Sequence, residues 1–178
     1  MLSVVLFSLL AFIQIAISGD ECISGQSLSG SDEIKCDDDF SCDGCDSIVL
    51  ADGKLLNCGG DSSCLNANAD IDAIEEFQLE CNGEDSCRSD DGTNTFTITC
   101  IMVGEETKGI KCGGDSSCRG LTIIIDGCDV EKIECDGDDS CRDADIRLIN
   151  GAVISSEFVC GGDRSCLDLT CSDSPECP

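Results

Sequence analysis

Apolar and polar residues alternate with period two along this chain, in short runs broken by clusters of Cys, Gly, Asp and Ser. Ala67, Ala69 and Ile71 alternate with polar neighbours, as do Leu121, Ile123 and Ile125, and Ala144, Ile146 and Leu148. A second set, Ile34, Leu56, Leu79, Ile110, Ile133 and Phe158, stands two residues before a cysteine, with a polar residue between in every case except Val159. Period two marks strands with one buried face, and it places those cysteines on that face. The expected class is all-β.

The breaks between strands are copies of one motif: Cys36-DDDFS-Cys42, Cys58-GGDSS-Cys64, Cys81-NGEDS-Cys87, Cys112-GGDSS-Cys118, Cys135-DGDDS-Cys141 and Cys160-GGDRS-Cys166. Ser precedes the second Cys in each copy. An acid stands third after the first Cys: Asp39, Asp61, Glu84, Asp115, Asp138 and Asp163. Glycine stands second after it in all copies but the first, where the residue is Asp38. Successive copies start 22, 23, 31, 23 and 25 residues apart, and in the long third interval the alternation is delayed to Phe96, Ile98 and Cys100. Each unit reads strand, tight corner, strand, loop, with Gly supplying backbone freedom and Asp and Ser bonding the local backbone.

One such unit cannot bury its apolar face alone, whereas stacked units can. The stretch from Cys22 to Cys171 resembles a disulfide-laced parallel β-helix, a β-solenoid of about six coils, and its use of cysteine in place of a large core is similar to the small cysteine-rich insect antifreeze solenoids. Neither the coil length nor the CGGDSSC motif matches theirs, so their activity does not carry over. A string of small knotted disulfide modules is the rival architecture.

Composition sharpens this reading. Among 178 residues there are 18 Cys, 37 Asp+Glu against 10 Lys+Arg, no His, no Trp, no Tyr and 6 Phe, for a net charge of -27. Few rings are available for a core, so disulfides are the expected substitute. The charge disfavours nucleic acid and anionic membrane surfaces as partners. Without histidine there is no Ser-His-Asp triad, no Cys-His pair and no imidazole zinc site.

Residues Met1 to Gly19 lack charge and are mostly apolar, ending in small residues, which reads as a secretory signal peptide cleaved after Ser18. The expected organisation is therefore 1–18 signal peptide and 19–178 a single β-solenoid repeat domain, secreted and extracellular, with no membrane attachment after cleavage. Export makes disulfides the default. Twelve cysteines belong to the corners, where bridging within each C-x5-C is one possibility and ladder pairing between adjacent coils the other. The remainder suggest Cys100 with Cys128, Cys22 with Cys45 and Cys171 with Cys177, leaving no free thiol. The Cys42-Asp43-Gly44-Cys45 CxxC has no second CxxC and no basic neighbour, and reads as structural.

Stacked in register, the six acids form a column about 4.8 Å apart, widened by Asp38, Asp85 and Asp139. Two readings follow. The carboxylates cap backbone N–H groups within their own turns, with Arg88, Arg119 and Arg142 adding neutralisation, or the column holds calcium weakly through oxygen ligands. No other cofactor is implied. Thr93, Thr95, Thr97 and Thr99 place hydroxyls on one strand face, while Thr122 and Thr170 look isolated. Enzymatic cleavage of acidic polysaccharides is disfavoured, because the acids repeat once per coil and a catalytic pair should break the repeat. The functional expectation is a non-catalytic structural or interaction protein of the cell surface, wall or matrix, able to self-associate end to end or to meet a cationic partner. An acidic calcium-, mineral- or cation-binding module and a polysaccharide-binding or polysaccharide-cleaving β-helix are the alternatives.

Overall fold

Alternation becomes strands because each run has one face that must leave water, and no run alone can cover it. The computed structural model describes residues 26–30, 32–100 and 106–172. The expected leader, Cys22 and Cys177 lie outside those residues. In chain order the strands are β1 (Ser27–Gly30), β2 (Glu33–Lys35), β3 (Ser47–Cys58), β4 (Ala69–Cys81), β5 (Thr95–Cys100), β6 (Glu106–Thr107), β7 (Gly109–Cys112), β8 (Thr122–Asp126), β9 (Asp129–Cys135), β10 (Asp145–Ile149), β11 (Val153–Cys160) and β12 (Thr170–Ser172). All recorded pairings are parallel.

The pairings define two stacks of strands. The first follows the corner: β1, the front half of β3, the front half of β4, then β5, β8, β10 and β12. The second precedes the corner: β2, the back half of β3, the back half of β4, then β7, β9 and β11. Each turn of the chain contributes one strand to each stack and one corner, and the two-residue β6 pairs in addition with the start of β9. The fold is thus the stacked β-solenoid of about six coils expected from the repeat, and the knotted-module architecture is excluded.

Register turns the sequence pattern into ladders. Ile48, Ala69, Phe96, Ile123 and Ile146 stand in one row, and Leu50, Ile71, Ile98, Ile125 and Leu148 in the next. They face Ile34, Leu56, Leu79, Ile110 and Ile133 from the other stack. All of these side chains are buried. Phe96, the bulkiest member of its row, stacks beside Ala69, the smallest, so the coil spacing is kept. Cys58, Cys81, Cys112, Cys135 and Cys160 continue the second stack into the corner as a ladder of their own.

The long third interval holds two insertions within one coil. From the second corner cysteine to the first row of the core is five residues for Cys64–Ala69, Cys118–Ile123 and Cys141–Ile146, but nine for Cys87–Phe96. Beyond it, Phe96 to Cys112 spans sixteen residues, where Ala69–Cys81 and Ile123–Cys135 span twelve. Two additions of four account for the excess of 31 over 23. Strand register on both sides is undisturbed; the first four extra residues, between Cys87 and Thr95, lie outside the ladders, and the second four fall outside the described residues.

Candidate functional site

The corner is the most repeated chemical feature of the molecule, and its cysteines bridge within each copy. Cys36–Cys42, Cys58–Cys64, Cys81–Cys87, Cys112–Cys118, Cys135–Cys141 and Cys160–Cys166 are disulfides, with Cα separations of 5.9 to 6.0 Å. Pairing between coils at these positions is thereby excluded. Cys100–Cys128 joins two successive coils across 28 residues of sequence, as expected. Cys45 and Cys171 are also disulfide-bonded, while Cys22 and Cys177, their expected partners, lie outside the described residues. No described cysteine is free, so the Cys42–Cys45 CxxC is not a dithiol.

Backbone φ alternates in sign through each corner. Four residues after the first Cys, at Phe40, Ser62, Asp85, Ser116, Asp139 and Arg164, φ lies between 56° and 60° or just below, at 55° for Asp139. The second cysteine is left-handed again, from 51° at Cys141 to 58° at Cys42. L-residues rarely adopt this region, and here the disulfide and the hydrogen bonds on both sides hold them there.

Those bonds run in three directions, as the second corner shows. The N–H of Ser62 reaches forward to Glu84 O at 2.7 Å, that of Ser63 closes locally on Gly60 O at 3.1 Å, and that of Cys64 reaches back to Ser41 O at 2.9 Å. The N–H groups of Leu65 and Asn66 repeat the local and forward bonds, to Ser62 O and Arg88 O. One donor lacks a carbonyl in this scheme, the N–H of the acid itself, and a carboxylate fills the gap. Asp61 N–H donates to Asp39 Oδ1, Glu84 N–H to Asp61 Oδ1, and Asp138 N–H to Asp115 Oδ1, each at 3.1 Å, and Asp163 N–H to Asp138 Oδ1 at 2.7 Å.

This corrects the expectation of capping within each turn. The carboxylate serves the following coil at Asp39, Asp61, Asp115 and Asp138, so the acids are brought together in one column in which these four fix their successors, while Glu84 accepts no described N–H from Asp115. The arginines neutralise other acids. Arg88 pairs with Asp85 and Asp90 at 2.7 Å, and Arg142 with Asp139 and Asp143 at 3.3 and 3.5 Å. Asp39, Asp61, Glu84, Asp115, Asp138 and Asp163 form no ion pair among the described residues.

Glycine at the second corner position also has a different role from the one expected. Its φ is not positive at Gly60, Gly83, Gly114, Gly137 or Gly162. A Cβ on Gly83 would stand 2.1 Å from Gly60 O, on Gly114 2.0 Å from Gly83 O, and on Gly137 and Gly162 2.1 Å from the carbonyl oxygen of the preceding member. What the position requires is an absent side chain, so that two backbones can approach closely.

Serine divides the coils. Ser41 and Ser165, in the first and last corners, donate to the carbonyl oxygens of Asp38 and Gly162, three residues back, at 2.6 and 2.9 Å. In the four corners between, the hydroxyls of Ser63, Ser86, Ser117 and Ser140 are buried without a hydrogen-bond partner. Nothing in the structure explains the choice of serine at these four.

The threonines are also placed differently. Thr95, Thr122 and Thr170 share one outward row, interrupted by Asp145, so Thr122 and Thr170 are not isolated. The next row runs Val49, Asp70, Thr97, Ile124 and Arg147 and has no single chemistry.

The insertion after Cys87, which breaks the repeat, had no sequence signature beyond its length. Eight side-chain hydrogen bonds pin it. Ser89 and Asn94, both buried, bond each other, and Asn94 Nδ2 donates to Asn66 O at 2.7 Å. Asn66 exchanges bonds with Asp90, and Asn68 Oδ1 accepts the Thr95 N–H. Asp91 accepts both the N–H and the hydroxyl of Thr93, which holds its carboxyl below the ordinary value. Against this loop lies an open notch of about 220 Å³ lined by Arg88, Ser89, Asp90, Gly92, Arg119, Gly120 and Asp143.

Among the described residues no helix is long and apolar enough to cross a membrane. Comparison with protein-family models, with curated proteins and with solved structures finds no match.

Proposed function

We propose that this protein is secreted and acts outside the cell as a non-catalytic, rigid rod, a structural or interaction component of a surface, wall or matrix. The observation that carries the reading is one disulfide per coil, closed inside the corner, in a chain that begins with an apolar, charge-free segment. Such bonds persist in oxidising compartments. A repeated acid committed to fixing the next coil is the pattern of a scaffold, and a scaffold with a net charge of -27 stays soluble and presents a fixed surface.

The test has two parts. Expression with the native leader in a secretory host should release protein whose N-terminus begins after Ser18; retention inside the cell as a reduced chain would overturn the extracellular reading. Labelled mature protein should then be held by isolated surface or matrix material, and free passage through it would overturn the structural role.

A second reading, weak cation binding by the acid column, is supported by the carboxylate oxygens of the column that accept no described N–H. Calorimetric titration with calcium in the low-millimolar range checks it, and absence of heat would end it.

A further inference from the structure

The repeat leaves little room for a ligand, because outward rows are continuous and every corner copies its neighbour. Cavities also lie along the outward side of β7 and β9 and at the last described coil, but the one against the insertion after Cys87 sits on a braced departure from the repeat. Loops that break a repeat while being held rigid are suited to binding, since their ordering cost is met in the free state. Here the bracing comes partly from Asn66 and Asn68 of the preceding coil, whose side chains are occupied with residues 90 to 95.

The lining of the notch restricts what it can hold. Arg88 and Arg119 donate and Asp90 and Asp143 accept, so the formal charges cancel. The backbone at Gly92 and Gly120 carries no side chain over it, and Gly120 must remain glycine, because its φ is 66° and a Cβ there would meet Ser89 O at 2.6 Å. Arg88 is engaged by two carboxylates at 2.7 Å, whereas among the described residues Arg119 has a single distant ion-pair partner, Asp143 at 3.8 Å. Its guanidinium therefore has donors to spare.

No apolar side chain lines the notch, which excludes an apolar ligand. The protein's field opposes polyanions, and both carboxylates of the notch are already ion-paired, Asp90 with Arg88 and Asp143 with Arg119 and Arg142, which leaves a cation to compete with the arginines for them. A fitting ligand presents donors and acceptors together in a small volume, and hydroxyl groups are both at once. We propose that the notch between the residue 88–94 loop and Arg119 binds a neutral, hydroxyl-rich ligand, a neutral saccharide, whose adjacent hydroxyls bridge the Arg119 guanidinium and the Asp143 and Asp90 carboxylates. The site goes beyond the scaffold reading and does not depend on export: it could fail in a secreted rod, or hold in a retained one.

Backbone NMR of the isotopically labelled, oxidised protein tests it, with cellobiose, maltose and mannobiose as probes and glucuronate as a charged control. At least one disaccharide should shift the Gly92 and Gly120 amides with a dissociation constant of about 1–10 mM. Arg119→Gln and Asp143→Asn should each weaken it by about tenfold, with unchanged thermal midpoints. Raising salt from about 50 to about 300 mM should leave affinity within a factor of about two, because hydrogen bonds to a neutral ligand are little screened. No shift of these amides with any of the three at about 100 mM, tighter binding of glucuronate, or equal binding by both variants would overturn the proposal.

Discussion

The carbonyl oxygen of Asp38 stands 2.3 Å from the point where a Cβ on Gly60 would lie. Asp38 and Gly60 occupy the same corner position in successive coils, and among the described residues no corner precedes that of Asp38. The one side chain in the glycine column thus belongs to its first described member. Gly83→Ala and Gly114→Ala should cost about 1–3 kcal/mol or more, since backbone must move to admit the methyl group. Asp38→Gly should stay within about 1 kcal/mol, the entropic cost of glycine. Thermal and denaturant unfolding of the three variants checks this, and a similar loss at all three positions would contradict it.

The acid column should show an internal polarity. Asp61→Ala removes the acceptor of the Glu84 N–H and should cost about 1 kcal/mol, whereas Asp61→Asn keeps an acceptor and should cost less. Asp163→Ala should be near neutral, because Asp163 donates its N–H to Asp138 but its own carboxylate accepts no described N–H. Amide hydrogen exchange at Glu84 in the two Asp61 variants provides a second readout.

A non-reducing peptide map should return six bridges between cysteines six residues apart and one between Cys100 and Cys128. Alkylation in denaturant without reductant should label none of the described cysteines. Replacing Cys81 and Cys87 together with serine should lower stability by about 2 kcal/mol, the chain-entropy value for so short a loop.

Acid should loosen the inserted loop first. Asp91 titrates below its ordinary 3.8 because Thr93 bonds its charged form, so its contribution is present above 3.8 and is lost as pH falls through the lower folded value. The Thr93 amide should exchange faster over that window while core amides such as that of Ile98 hold. Asp91→Asn should reduce the pH dependence at Thr93, and an unchanged profile would remove Asp91 as its source.

Strand positions, the corner and the delay at Phe96 were legible in the sequence, because burial with period two and a short cysteine loop are local signals; the Cys100–Cys128 bridge, 28 residues apart, followed only from pairing the cysteines left over by the corners. Partners one coil away were not. The N–H that Asp61 accepts lies 23 residues on, and the carbonyl that forces Gly83 to be glycine lies 23 residues back. The threonine row was hidden by the four-residue insertion, which shifts Thr95 in sequence but not in register with Thr122. The bracing of that insertion depends on Asn66 and Asn68, which alone read as ordinary turn residues.

The glycine column also bears on how such a molecule changes length. An interior coil with glycine at this position offers the same carbonyl to its successor that it receives from its predecessor, so whole coils of about 23 residues are exchangeable units. Duplication or loss of one interior coil leaves every junction of the glycine column of the same kind. A coil carrying Asp at that place can only stand first, which gives the array a fixed starting point and leaves growth or shortening to the coils that follow it.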